Sequence, residues 1–570
     1  MNGIWTRGIS SGTIFRLEGL VILAGICIAY WAAPIRFQPV LTVEKWLRLI
    51  AGKRRLAILA SGLLPIILRL LLMPVLGVPE PSIQEEFSYL LEGDTFAQGR
   101  LTNPPHPMAA FFDTFQELQH PTYCSIRPPG QGLFLAAGEA LTGISWIGVV
   151  LSVGAFCSAL CWMLQGWVTP PWALLGALLA GLRLGVLSNW MNSYWGGAVT
   201  ALGGLLVLGA LPRIRRKPGI ASAACMGIGI AILANTRIYE GLFVLIPVAV
   251  SLLFWLARDN SFPWRRKLTV AATLTFACLS LAGFIAYYNF RTTGKPSLPP
   301  YVLYASTYNP APAFIWQKVE RRSFTIPEMT SFYIDWSLPY FNRMTGKDTF
   351  WREAGDKLFQ FWSFYLRWAL TLPLLAIPWL LPQRRLYVIW AILGVSVAGG
   401  LLEVWGAPYY FAALTGVVYL LIVEGLRSMR RWKPAQRPVG EFLGRWVALT
   451  VLGIFLLSAA LQVEHIRIKD AGINFFSPGP NPMHPRAVIK NRLENMDGRH
   501  LLIVRYSPVH NPHEEWVWNR SDPDRAKIVW ARDLGPEKEK QLIRYYKDRH
   551  IWLIEPDRAA DRLTPVKESF

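Results

Sequence analysis

The chain reads as an all-α polytopic membrane protein of about twelve transmembrane helices, with a small extracytoplasmic α/β domain at its C-terminus. Three observations predict this class. Of 570 residues, 52% are hydrophobic and only 17% charged, against about a quarter charged in soluble chains. The apolar residues arrive in runs of about 17–25, the length a helix needs to cross hydrocarbon. Basic residues gather in alternate loops, as membrane topology demands.

The spans fall at about 17–34, 55–78, 146–168, 172–190, 195–212, 219–235, 241–257, 268–286, 362–381, 386–402, 411–426 and 441–463. The run Gln131–Gly143 is too short to cross and follows Arg127-Pro128-Pro129, so an interfacial or re-entrant helix is expected there. One set of loops holds 22 basic residues: Arg36, Lys45, Arg48, Lys53–Arg55, Arg213, Arg215–Lys217, Arg258, Arg265–Lys267, Arg384, Arg385, Arg427, Arg430, Arg431, Lys433, Arg437 and Arg445. The opposite short loops and the first large loop carry only Arg100, Arg127 and Arg237, with Arg7 and Arg16 at the N-terminus. The basic set is therefore cytoplasmic. A signal peptide ending at Ala32-Ala33 is the other reading of the first span; it would strand the basic stretch 36–55 outside.

This topology divides the chain into an N-terminal helix and basic linker (1–54), a membrane core (55–463) with large outer loops at 79–145 and 288–361, and a tail (464–570). The tail alternates helix Arg486–Met496, strands at 500–505 and 527–530, helix Pro536–Asp548 and a strand at 550–554, a pattern that predicts a parallel sheet. All eight histidines fall on the outer side. The formal charge of +21 raises nucleic acid as a partner, but the tail has 19 basic and 16 acidic residues, so the excess lies in the membrane part. Nucleic acid is excluded as a partner. Five of six cysteines sit in apolar runs and only Cys124 in a polar loop, so no disulfide framework or zinc spacing exists.

Chemistry is expected where the second span exits. The stretch Ser82–Gly99 looks helical, which puts Glu85, Tyr89 and Glu92 on one face. Adjacent acids Glu85 and Glu86 near low dielectric repel, so one should have a raised pKa suited to base work. The bland reading is an acidic helix start that meets the macrodipole.

Glu85-Glu86-x-x-Tyr89, Gly99, Pro104-Pro105 and Arg127-Pro128-Pro129 resemble the first outer loop of the GT-C membrane glycosyltransferases, in the group of dolichyl-phosphate-mannose–protein mannosyltransferases and lipid A aminoarabinose transferases. The likeness in hydropathy covers roughly residues 55–460, its specific motifs about fifty. It implies a membrane enzyme of the cell envelope, in the bacterial inner membrane, that moves a hexose or pentose from a polyprenyl-phosphate donor to an extracytoplasmic glycan, lipid or protein. Glu85 takes the family's catalytic Asp position and Glu86 the Glu beside it, which orients donor or acceptor. Arg127 takes a Lys position, and Arg237 falls where the family has a basic residue at an outer span end. Glu in place of Asp lengthens the reach of the base. A second acid that the family often carries is replaced here by Tyr194-Trp195-Gly196-Gly197, so a divalent metal lacks support, and no soluble cofactor is expected.

A carboxylate at Glu85 suits the removal of a proton from the acceptor hydroxyl, and Arg127 and Arg237 suit the departing lipid phosphate. Tyr89 shares the catalytic face. Tyr194, Trp195 and Tyr239 are candidates to stack on sugars, although interfacial belts use the same residues. Glu240 is a second-rank candidate beside Arg237. His106 and His120 are candidate contacts to donor or acceptor, with an uninvolved surface position as the alternative. Arg69 and Arg183 lie inside spans, where pairing with an acid or snorkelling competes with function. His510, His513 and Glu514 have the composition, though not the spacing, of a metal trio. A transporter of lipid-linked saccharides is the alternative function; it predicts repeat symmetry and interrupted midplane helices.

Overall fold

The structure, a computed structural model, describes residues 8–35, 37–324, 326–469 and 484–566; Arg7 and Arg36 of the charge pattern lie outside them. Each of the twelve expected spans is helical. Among the described residues, eight helices are long and apolar enough to cross a membrane: Ser11–Ala32, Trp146–Leu164, Ala198–Arg216, Ile238–Arg258, Trp264–Thr293, Arg384–Leu402, Pro408–Met429 and Val439–Val463. The protein is an integral membrane protein.

The other four are shorter or interrupted, each for a legible reason. Arg54–Leu71 carries two arginines in its first turn, Pro65 and Arg69. Pro170–Ala180 runs into a π turn, Gly181–Gly185, that presents Arg183. Ile220–Ala234 and Arg367–Leu380 are simply short, and Arg367 opens its helix in the left-handed region at φ 49°.

The intramembrane arginine at 69 is fully buried, and among the described residues its partners are neutral. Its guanidinium donates to Asn192 Oδ1 at 2.9 Å and to the Gly77 carbonyl at 2.7 Å, and it stacks 4.5 Å from the Trp146 ring. Neutral acceptors and an indole face replace its hydration.

The short helix after Arg127-Pro128-Pro129 forms at Gly130–Thr142 and ends on Gly143 in the left-handed conformation. It packs between the loop helix Gln84–Ala97 and the span Trp146–Leu164. Glycine makes this close: a Cβ at Gly93 would come 2.7 Å from Leu135 Cβ, and one at Gly148 would strike the Phe134 carbonyl at 1.8 Å.

The tail matches the predicted alternation. Strands β1 (His500–Val504), β2 (Ile528–Arg532) and β3 (His550–Ile554) are parallel in the order β2-β1-β3, with Leu501 opposite both Val529 and Ile551. A two-residue strand β4 (Thr564–Pro565) adds antiparallel to β3. Asn519 bonds both the N–H and C=O of Trp530, blunting the open edge of β2. Ahead of this sheet, the short strand Arg467–Lys469 pairs with Gly8–Ser10, which ties the segment after the last span to the first helix.

The tail docks on the first large loop, 79–145. Phe111 and Phe112 enter the apolar layer under the sheet with Leu501, Val529 and Leu542. Asp94 at the end of the loop helix receives the Ser521 N–H at 2.8 Å and the Arg520 guanidinium at 2.9 Å. Arg532, buried, pairs with Glu515 at 3.1 Å and with Glu328 of the second large loop, 288–361, at 2.9 Å. The tail thereby bridges both large loops.

Candidate active site

The loop helix starts at Gln84 with Glu85 and Glu86 in its first turn, both buried. Their side chains diverge. Glu86 is a brace: Oε2 accepts the Ser82 N–H at 2.9 Å, and Oε1 accepts the Tyr194 N–H at 3.1 Å. Glu85 points into a cluster of charge. Its Oε1 lies 2.9 Å from Arg127 Nη1 and 3.6 Å from Arg237 Nη2, and Oε2 accepts the Tyr409 hydroxyl at 2.9 Å.

Three chain regions meet here because backbone ties them. Gly130 N–H donates to the Asn235 carbonyl at 2.6 Å, which sets the segment of Arg127 against the turn of Arg237. A Cβ at Gly130 would come 2.5 Å from Thr236 Cγ2 and 2.6 Å from Asn235 O. Only glycine permits that approach. Gly130→Ala should therefore destabilise the protein by about 1–3 kcal/mol, read as a lower melting temperature in detergent. Gly355→Ala, at a helical position with nothing within 4 Å of the new carbon, should leave melting unchanged or raise it.

Aromatic rings hold the guanidiniums. Arg237 lies 4.6 Å from the Tyr409 ring and 4.2 Å from the Tyr410 ring. Arg127 lies 5.4 Å from the Tyr89 ring and donates to Gln116. The expected face of the loop helix is thus realised: Glu85 and Tyr89 both meet Arg127, and Glu92, a turn further, accepts from Tyr288 at 3.4 Å. Glu240 sits 3.8 Å from Arg237. Beyond it, burial and then Glu240 push the Glu403 carboxyl well up. Lys357 reaches the Glu403 carbonyl at 2.5 Å, and burial pushes its amine down to about 8.

Among the described residues, several buried polar atoms of this cluster find no hydrogen-bond partner: Glu85 Oε1, Glu240 Oε1, Arg127 Nε and Arg237 Nη2. Buried polar atoms are rarely left so. Two donors on two cations are unspent at one place.

The other expected site residues have different surroundings. Tyr194 is consumed by structure: its hydroxyl donates to the Pro79 carbonyl at 2.9 Å and its carbonyl accepts from Gln131 at 2.9 Å. Trp195 is buried with its ring 4.8 Å from Tyr409, at the margin of the cluster. Tyr239 packs on Phe243 and Phe314. His106 is engaged by the tail, 3.1 Å from Asp524 Oδ1 and stacked on Tyr546. His120 is exposed. His510 bonds Asp557 at 2.8 Å, while His513 lies against Phe332 and Trp336, so the histidines of the suggested trio face different partners. Among the described residues no group of three or more His, Cys, Asp or Glu converges. The oxygens of Glu85 face guanidiniums and a phenol, a setting suited to anions and not to a cation.

Burial pushes the Glu86 carboxyl up to about 7 from an ordinary 4.5, although the bonds from Ser82 and Tyr194 oppose it. The acid expected to be perturbed is present, but desolvation and not mutual repulsion perturbs it. A raised carboxyl pKa stabilises the fold fully below about 4.5 and loses that contribution as pH rises to about 7. The stability difference between wild type and Glu86→Gln should fall across that window and be flat outside it, measured by melting at each pH. A difference that grows with pH would overturn this assignment.

No family model matches the chain, and no curated protein matches it. Solved structures do. Apo ArnT from Cupriavidus metallidurans aligns over 91% of this chain and 94% of its own, at 12% identity and a TM-score of 0.44. The same protein bound to undecaprenyl phosphate aligns over 90% and 94%, at 11% identity and a TM-score of 0.46. The Archaeoglobus fulgidus oligosaccharyltransferase in complex with Zn and sulfate aligns over 88% of this chain and 67% of its own, at 12% identity and a TM-score of 0.47. The likeness is one of chain outline.

Proposed function

We propose that the protein is a membrane glycosyltransferase that moves one sugar from a polyprenyl-phosphate donor to an extracytoplasmic acceptor. The observation that carries this reading is the pairing of one buried carboxylate, Glu85, with two guanidiniums that keep unspent donors, at the start of the helix that follows the span Arg54–Leu71. A lipid phosphate is the anion available at that level, and planar guanidiniums match its oxygens.

In the reaction the acceptor hydroxyl oxygen bonds to the anomeric carbon as the bond from that carbon to the phosphate oxygen breaks. The hydroxyl proton passes to Glu85, and the bonding pair leaves with the phosphate. Charge grows on the phosphate as it departs, and Arg127 and Arg237 stabilise it. Before donor arrives the same two cations neutralise Glu85. A phosphate draws them away and frees Glu85 Oε1 to meet the acceptor hydroxyl. Tyr409 holds the second carboxylate oxygen and fixes its direction.

The test is reconstitution in vesicles with synthetic polyprenyl-phosphate sugars and envelope glycans, lipids or peptides as acceptors. Release of free polyprenyl phosphate with a glycosylated acceptor supports the reading. Movement of intact donor across the bilayer without release would identify a transporter instead.

A further inference from the structure

The back of the loop helix Gln84–Ala97 is held by the tail. At 3.6 residues per turn, Phe87 and Asp94 lie about 160–180° around the helix from Glu85, while Tyr89 and Glu92 share its side. Phe87 is 2% exposed. Its ring stacks on Trp518 at 5.4 Å, and the Arg486 guanidinium lies over it at 4.7 Å. Arg486 is itself fixed, donating from Nε to the Trp516 carbonyl at 3.0 Å. Two turns further along, Asp94 Oδ2 accepts from the Ser521 N–H and hydroxyl at 2.8 and 2.6 Å.

Trp518 and Ser521 belong to one strap, 516–521, and that strap is firmly fastened. At its start, Glu515 Oε1 accepts the Trp516 and Val517 N–H groups at 3.0 and 2.8 Å, and Oε2 meets Arg532 at 3.1 Å. In its middle, the Asn519 side chain bonds the edge strand β2 at Trp530, and the Asn519 carbonyl accepts the Tyr123 hydroxyl at 3.0 Å. The helix start needs such support, because Ile83 stands at its N-cap and has no polar side chain to offer the first turn. That turn carries Glu85. Glu86 braces one side of it through Ser82 and Tyr194, and the strap closes the other through Phe87. Arg127, Arg237 and Tyr409 come from other segments, so a shift of the helix moves Glu85 against groups that stay in place.

We infer that the tail positions the base: Trp518 and Arg486, acting through Phe87, and Ser521, acting through Asp94, set the place of Glu85 relative to Arg127, Arg237 and Tyr409. Trp518 is a positioning residue of the site. For its effect on turnover the inference rests on the sugar-transfer reading; for its effect on the helix it does not.

The test compares the full chain with Trp518→Leu, which keeps an apolar side chain but no ring, and with Trp518→Phe, which keeps a ring. Hydrogen exchange in detergent reads the amides Glu86–Leu90, whose first bonds run to the Ile83 carbonyl. Trp518→Leu should speed their exchange at least about tenfold and leave the span Trp146–Leu164 unchanged. Trp518→Phe should restore slow exchange. With a polyprenyl-phosphate sugar, Trp518→Leu should lower kcat by about 10–10²-fold, the cost of a reacting group misplaced by about 1 Å, and Trp518→Phe should recover it. The Kd for polyprenyl phosphate should hold or tighten, since Arg127 and Arg237 stay in place while their competitor shifts. Unchanged exchange in Trp518→Leu, or faster exchange with kcat intact, overturns the inference. A parallel loss of kcat and donor affinity also overturns it, as the mark of a general structural role. If the wild type transfers no sugar, the glycosyltransferase reading fails, and faster exchange in Trp518→Leu still supports the hold of the tail on the helix.

Discussion

Glu85→Gln should lower the turnover of sugar transfer by about 10²–10⁴-fold, the usual worth of a positioned general base, and in the same variant tighten donor binding. The two effects have one cause. Glu85 Oε1 lies against Arg127 and Arg237, so in the proposed reaction the carboxylate is both the base and the competitor of the donor phosphate for them. Neutral Gln keeps the shape and the bond to Tyr409 but cannot accept a proton or hold two cations. A residue that only supported the fold would lose binding and turnover together. The measurement is a split of kcat against the donor Kd, with melting in detergent to show that the variant is folded. Retained turnover rejects the assigned base, and weaker donor binding rejects the competition.

The parts of this site that were legible in the sequence are those written in one local stretch. Glu85, Glu86 and Tyr89 lie within one and a half turns of a helix, and Arg127 belongs to the same loop, so motif and periodicity sufficed. Arg237 was legible from its place at a span end. Tyr409 was not. It lies between the spans at 386–402 and 411–426, and its bond to Glu85 crosses 324 residues of chain, which no spacing encodes. Tyr194 and His106 are residue types used equally for ligands and for internal bonds, and the internal bonds they make, one with Glu86 and the other with the tail, carry no local sequence signal. In the fold, span positions and the tail's alternation followed from apolar length and period. The interruptions did not, because the π turn at Gly181–Gly185 and the left-handed Arg367 answer to contacts with distant helices.

Arg237 should prove the more demanding of the two cations. Its guanidinium is flanked by Tyr409 and Tyr410 and faces Glu85 and Glu240, so it serves two acids and two rings at once. Arg237→Ala leaves Glu240 buried with its cation gone, and removal of one partner of a buried pair costs about 3–5 kcal/mol. The variant's own melting must therefore be followed. Arg237→Lys separates charge from shape. An ammonium restores one positive charge but cannot lie flat between two phenols or offer a fork to phosphate. Melting should recover with Lys while kcat/KM for the donor stays down by about 10²–10³-fold, the scale of one lost transition-state donor. Arg127→Ala should act through the same phosphate and the same Glu85 oxygen. The double variant should then lose much less than the product of the single losses, since residues that share a partner are not additive. Full activity in Arg237→Lys would leave only a point charge at that position and remove the bidentate phosphate contact from the mechanism. Fully multiplicative losses would show that the two arginines do not meet on one group.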